Sequence, residues 1–158
     1  MRRNLLVRFK LALALTCVSQ PTVLLGGSQK PLIFADVTTF RCEFGDGEGR
    51  SEVDGRTENR RGDKFSDPLM IDAVNYRGRT ARLIGNAGGS DLVILNNSKL
   101  ALTFAEFTDV GGVSTITIFK RGGNFDLHHR AVMSRHLVFT TPNGLSMTQY
   151  YGTCRGMP

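Results

Sequence analysis

The three histidines, His128, His129 and His136, lie within nine positions of one another and are the first residues that suggest chemistry. A zinc site needs three or four nitrogen, oxygen or sulfur ligands that converge on one point. On a β-strand, His128 and His136 would share a face but stand about 26 Å apart, at ~3.3 Å per residue. Only a sharp bend near Arg130 would bring them together. We therefore predict solvated histidines and no metal site.

Ser134 and His136 are two residues apart and would share a strand face, an arrangement that raises the possibility of a hydrolase. Nucleophilic catalysis needs a base within hydrogen-bond reach of the nucleophile and a third group that orients the base. No G-x-S-x-G turn surrounds Ser134. A hydrolase would require His136 or His128 to meet a carboxylate such as Asp126. The prediction is a protein that is not an enzyme and that holds no cofactor.

Residues 1–28 have the organisation of a secretion signal followed by a short linker. An apolar run over Leu11–Val18 is too short to span a bilayer. The run follows a basic segment that contains Arg2, Arg3, Arg8 and Lys10. We expect export to the periplasm or to the outside of the cell. Lipidation of Cys17 is not expected, because Thr16 is bulky just before the cysteine.

Removing the leader leaves two of the three cysteines, Cys42 and Cys154, one near each end of the remaining domain. Disulfides form and persist in oxidising compartments, so these two thiols are predicted to be bridged. The alternative is metal or redox chemistry, for which no second cysteine lies close in sequence.

The charge of the exported chain is close to balanced. Four of the 20 basic residues lie in the leader, which leaves 16 against 14 acidic residues. The chain has no Trp, and its basic residues are not interleaved with aromatic ones. This balance argues against nucleic-acid binding. The mature chain is expected to be a monomer with no stable membrane span.

The spacing of apolar residues predicts one all-β domain over residues 29–158. Stretches of alternating or β-branched residues recur roughly every 8–14 positions from Leu69 onward, with turn residues between them. About eight strands would form an antiparallel meander that closes as a small barrel or a sandwich. Cys42 on the first strand and Cys154 on the last would then be neighbours. The predicted inward residues are Leu100, Leu102, Phe104, Ile116 and Ile118.

Residues 45–67 break the alternation, because twelve of the 23 are charged and five are Gly. Only Val53 and Phe65 could anchor the segment. Such a composition buries too little apolar surface to offset the entropy of ordering it. The prediction is a flexible polar loop.

Tyr150 and Tyr151 are adjacent, so on a strand they would point to opposite faces. Tyr150 shares parity with Cys154 and is predicted to be buried. Tyr151 would then be exposed as a contact residue. With Arg135 and His136, it makes up the set of candidate binding residues.

The layout resembles small exported bacterial β-barrel proteins, and Phe40-Arg41-Cys42 and Gly152-Thr153-Cys154 carry a likeness to the membrane-bound or periplasmic inhibitors of C-type lysozyme. That resemblance implies a small barrel whose early and late cysteines are bridged. The Ser-Gly-rich inhibitory loop of the family has only a loose counterpart in Asn86–Ser90, so no inhibitory residue is transferred.

Two non-catalytic functions follow from these features. The first is an envelope protein that binds a partner through its loops, the partner being another envelope protein, a glycan or a small ligand. The second is a lipocalin-like carrier of a small apolar ligand, since an eight-strand barrel can hold one such molecule. The bulk of Leu102, Phe104 and Ile116 favours a filled interior over a hollow one.

Overall fold

A computed structural model describes residues 36–86, 88–120, 128–140 and 143–157, and within these ranges the only helices or strands that form are β-strands. The predicted signal peptide and Asp126 lie outside the described residues. No helix within the described ranges has the length and apolarity needed to cross a membrane. The nine strands are β1 (Thr39–Val53), β2 (Arg56–Lys64), β3 (Leu69–Asn75), β4 (Thr80–Gly85), β5 (Gly88–Asn97), β6 (Ala101–Phe107), β7 (Val113–Phe119), β8 (His128–Thr140) and β9 (Asn143–Met157).

Eight of these strands form a closed antiparallel barrel. From β3 to β9 each strand pairs with the next along the chain, β1 pairs with β3, and β1 also pairs with β9. That last pairing closes the sheet on itself. The predicted all-β meander is confirmed, and it closes as a barrel.

The predicted bridge between Cys42 and Cys154 lies on the closing seam and is confirmed. The two residues stand directly opposite each other in the β1–β9 register, with an S–S distance of 1.97 Å, and neither has exposed surface. Beside the bridge, β1 bulges between Phe44 and Gly47. A Cβ on Gly152 would collide with the Glu43 carbonyl oxygen there, so this crossing needs a glycine.

Residues 45–67 are largely β-hairpin, so the prediction of a flexible polar loop is wrong. The second half of β1 pairs with β2 on one side and with β9 on the other. Asp54 and Gly55 form the two-residue turn with φ of 49° and 74°, which suits the right-handed twist of a hairpin. Backbone ladder bonds, which do not depend on apolar side chains, hold the segment. We call the resulting four-stranded extension the arm (residues 46–64, 134–140 and 143–150).

Alternate residues of the barrel strands fill its interior. Leu102, Phe104, Ile116 and Ile118 are buried as predicted. Leu100 is 76% exposed, so its predicted inward facing is wrong. It precedes the first residue of β6, and the strand alternation does not extend back to it. Apart from the two bridged cysteines, the largest fully buried side chains are Phe40, Phe104, Ile71, Ile94, Leu102 and Ile118.

The two ends of the barrel are named here by the strand connections they carry. The lower end has the β3–β4 and β5–β6 connections, the last residue of β7 and the first of β8. The mouth has the β4–β5 and β6–β7 connections together with the base of the arm. At the lower end the Nζ of Lys120 donates to the Oδ1 of Asn97 and to the Ser98 carbonyl, both at 2.7 Å. The Tyr76 hydroxyl donates to the Val37 carbonyl at 3.0 Å.

Candidate functional site

A cavity of about 240 Å³ opens at the mouth of the barrel. Its floor is apolar and is made by buried side chains of β5 to β8, which are Leu92, Phe104, Ile116 and Met133. Its rim includes the β4–β5 turn and Phe65 from the base of the arm. Since a water molecule takes about 30 Å³ of liquid, the cavity has the volume of about eight waters. It therefore suits a small molecule rather than a long hydrocarbon chain.

A row of three polar side chains crosses the cavity wall. Glu106 on β6 stands opposite Ser114 on β7, and Ser114 stands opposite Arg135 on β8. All three line the cavity. Neighbouring strands are about 4.8 Å apart, so the acidic and basic positions are separated by roughly 10 Å with the serine between them. Neither Glu106 nor Arg135 forms an ion pair within the described ranges.

Ser114 is the most unusual member of this row. The residue is 6% exposed, and its Oγ has no hydrogen-bond partner among the described residues. A buried polar group without a partner costs about 1–3 kcal/mol of stability. The protein thus keeps, in the wall of a cavity, a buried hydroxyl that has no partner among the described residues.

Aromatic side chains at the base of the arm hold Arg135 in place. Its guanidinium carbon lies 6.0 Å from the ring centre of Phe65, within the range of a cation–π contact. Phe65 in turn packs edge-on against Phe44 and Tyr150. The Tyr150 hydroxyl donates to the Oδ2 of Asp63 at 2.7 Å. Burial, and then this hydrogen bond, raise the pKa of Tyr150 above its ordinary value.

The three candidate binding residues do not share one surface. Arg135 faces the barrel interior and reaches the mouth. His136 and Tyr151 have the opposite parity and lie exposed on the outer face of β8 and β9, where Tyr151 is 56% exposed. Exposure of Tyr151 and burial of Tyr150 follow the predicted alternation. The binding roles of His136 and Tyr151 stay predictions.

Ser134 and His136 lie on the outer face, where they line a shallow depression that also contains Glu48. A catalytic triad would need hydrogen bonds that join nucleophile, base and orienting group. No such bond links these three residues within the described part of the chain. In the sheet register, Gln149 stands between Ser134 and Glu48.

The histidines are spread over both faces of β8. His128 and His136 are exposed as predicted, whereas His129 is buried, so the prediction of a solvated side chain is wrong for it. The strand runs continuously from His128 to Thr140. In the ranges that the structure describes, no group of three or more His, Cys, Asp or Glu side chains could hold a metal ion.

Glu106 and Ser114 were not among the residues singled out from the sequence, although a signal for them exists. Glu106 has the same parity as Leu102 and Phe104, and Ser114 has the same parity as Ile116 and Ile118. A polar residue on the apolar parity of a strand points toward the barrel interior. It must then be partnered, lie at an open end or serve a ligand.

No family model, no curated protein and no solved structure matches this chain. The resemblance to the lysozyme inhibitors stays a prediction.

Proposed function

We propose that this protein is an exported, non-catalytic binding protein that takes a small ligand in the mouth of its barrel. The single observation that carries the proposal is the buried Ser114 hydroxyl, which lines the mouth cavity without a partner. Small-molecule sites are typically concave, mostly apolar and furnished with a few convergent polar groups. Glu106, Ser114 and Arg135 over an apolar floor have that composition.

Export is supported by the leader-like organisation of residues 1–28 and by the Cys42–Cys154 bridge. Disulfides that serve a structural purpose are rare in reducing compartments. A bridge that joins the first and last barrel strands fits a protein that must keep its site intact outside the cytoplasm.

The mouth favours a binding role over the alternatives considered from sequence. A lipocalin-like carrier of an apolar ligand needs a deep hollow interior, whereas Phe40, Phe104 and Ile118 fill the barrel below the mouth. A hydrolase with His136 or His128 would place its chemistry on the outer face, away from the cavity. An inhibitor of another envelope protein would present the mouth or the arm to its partner, and this reading has no observation of its own.

Ligand binding at the mouth is tested by NMR with a library of small soluble molecules. We expect amide shifts at β4–β5, β6 and β7 residues that line the cavity. Ser90→Leu places a larger side chain into the rim and should abolish the shifts. The matched control is Asp91→Leu, because Asp91 is the next residue on β5 and points outward. Absence of mouth shifts with every compound, in protein that is folded and oxidised, would refute the binding proposal.

Export is tested separately with the native leader in a bacterial host. The expected product is periplasmic or secreted protein that begins at a residue between 20 and 29. It should contain no free thiol. Cytoplasmic protein with an intact leader and two alkylatable thiols at Cys42 and Cys154 would contradict it.

A further inference from the structure

We infer that the mouth selects a small zwitterion with an apolar side chain, that is, a free α-amino acid such as leucine. The inference rests on the proposed binding function and names the ligand class of that same site. Its basis is the polar row, in which Glu106, Ser114 and Arg135 face one cavity from three successive strands.

The two charges of the row are separated and leave room for a ligand of mixed charge. Glu106 and Arg135 sit one strand apart on either side of Ser114, and no ion pair joins them. A ligand ammonium can lie against the Glu106 carboxylate while a ligand carboxylate meets the Arg135 guanidinium. Charge-assisted hydrogen bonds of this kind are roughly twice as strong as neutral ones.

Ser114 fits between these charges because a hydroxyl both donates and accepts. Its O–H can donate to the ligand carboxylate, or its oxygen can accept from the ligand ammonium. Either contact would satisfy the buried Oγ that has no partner among the described residues. An uncharged apolar ligand would leave the serine, the carboxylate and the guanidinium all unmatched.

The apolar floor and the volume of the cavity define the uncharged part of the ligand. Leu92, Phe104, Ile116 and Met133 offer only apolar surface, so the group that reaches them should be hydrocarbon. A cavity of about 240 Å³ accommodates one amino acid with a medium apolar side chain. A ligand with only one charge would leave the opposite protein charge without a counter-charge.

Calorimetric titration of the oxidised protein with three matched compounds tests this class. L-Leucine carries both charges, 4-methylpentanoate lacks the ammonium, and 3-methylbutylamine lacks the carboxylate. We expect leucine to bind about tenfold or more tighter than either of the others, since each loses one charged hydrogen-bond partner.

Two charge-removing variants assign the contacts. Glu106→Gln should weaken leucine and the amine but leave 4-methylpentanoate unchanged. Arg135→Gln should weaken leucine and 4-methylpentanoate but leave the amine unchanged. Glu48→Gln and Arg130→Gln remove the same charges from exposed residues of β1 and β8, and we expect them to leave all three affinities unchanged. Thermal unfolding of every variant checks that it is folded.

The outcomes separate this inference from the proposed function. Equal binding of leucine and one singly charged compound overturns the zwitterion but keeps the mouth as a site. The same holds if all three compounds fail while another small molecule shifts the mouth amides. If no compound of any kind shifts those amides, both proposals fail together. Loss of leucine binding in either control variant overturns the assignment of the charges to Glu106 and Arg135.

Discussion

The two ends of the barrel differ in whether a buried polar side chain is hydrogen-bonded, as Ser114 and Lys120 show. Both have the inward parity of β7, six residues apart, and each is 6% exposed. At the lower end, the Lys120 ammonium donates to the side chain of Asn97 and to the Ser98 carbonyl. At the mouth, the Ser114 hydroxyl has no partner within the described residues. An unsatisfied polar group thus lies near the first residue of β7, and a satisfied one lies just after its last residue.

Under the proposed function, the satisfied polar group at the lower end serves stability, and the unsatisfied one at the mouth serves the ligand. Buried polar groups in folded proteins are almost always hydrogen-bonded, and each exception calls for an explanation. Alanine at position 114 would remove the unsatisfied hydroxyl without altering the strand. Sites that are kept at a cost in stability are expected where a ligand later supplies the missing contact.

The largest expected effect comes from removing the disulfide on the β1–β9 seam, which both ends of the barrel share. The double variant Cys42→Ala/Cys154→Ala should lower the free energy of unfolding by about 4–5 kcal/mol, because the bridge closes a loop with a sequence separation of 112. Denaturant unfolding of oxidised and variant protein measures it. Hydrogen exchange should show protection lost equally at the mouth and the lower end. Loss confined to one end would mean that the ends unfold independently.

Phe104→Ala should have the next largest effect, because Phe104 forms part of the floor between the two ends. It is fully buried and packs edge-on against Phe40. We expect a loss of about 3–5 kcal/mol in the free energy of unfolding, from lost burial plus the cavity left behind. Leu100→Ala, at an exposed position, should change stability by no more than ~0.5 kcal/mol. Similar losses for both variants would show that the β6 facing is wrong.

The barrel itself could be predicted from sequence because its signal is local and periodic. Alternation over β6 and β7 identified Leu102, Phe104, Ile116 and Ile118 as inward. The early and late cysteines indicated which strands meet when the sheet closes. Both inferences need only the period of two and an oxidising compartment.

The arm and the mouth were missed for two different physical reasons. The arm segment 45–67 is highly charged, and its low hydrophobicity favoured a loop prediction. Asp54-Gly55, which is typical of a two-residue hairpin turn, was the signal that pointed the other way. Its partner, β9, is far away in sequence, so its contribution was not visible locally. The row of polar side chains at the mouth was missed because neither Glu106 nor Ser114, taken alone, stands out from other strand residues. Only the register of β6, β7 and β8 places them beside Arg135.

Lys120→Met tests the partnered end of the comparison. Methionine keeps the length of the side chain but leaves the Asn97 Oδ1 and the Ser98 carbonyl without this donor. We expect a loss of about 1–2 kcal/mol in the free energy of unfolding at neutral pH. The matched variant is Lys99→Met, since Lys99 is exposed in the β5–β6 connection. An unchanged stability would mean that the lower end does not depend on this lysine.

The same variant has a defined pH dependence. Burial lowers the pKa of Lys120 below the ordinary lysine value of 10.5. Between the lowered pKa and 10.5 the unfolded chain therefore holds a proton that the folded protein has released. Stability linked to this group rises with pH across that window. Denaturation from pH 8 to 10.5 should show the stability advantage of the wild type over Lys120→Met growing with pH, and an advantage that shrinks would contradict the sign.

Ser114→Ala should have the smallest effect on stability. A small effect is informative, because it would show that the hydroxyl does not support the fold. The variant deletes a buried hydroxyl with no partner in the described chain, so no hydrogen bond is lost. Removal of the unsatisfied group offsets the small loss of packing, and the free energy of unfolding should stay level or rise by up to ~1 kcal/mol. Thermal and denaturant unfolding of the ligand-free protein measures it.

Thr117→Ala provides the contrast on the same strand, because Thr117 faces outward and its Oγ1 shares a hydrogen bond with Thr103 at 3.2 Å. This change should cost about 0.5–1 kcal/mol. If Ser114→Ala instead costs more than Thr117→Ala without ligand, the hydroxyl supports the fold and the contrast between the two ends disappears. If Ser114→Ala is neutral without ligand but loses the stabilisation that a bound ligand gives, the hydroxyl serves binding, since a ligand stabilises only in proportion to its affinity for the folded state.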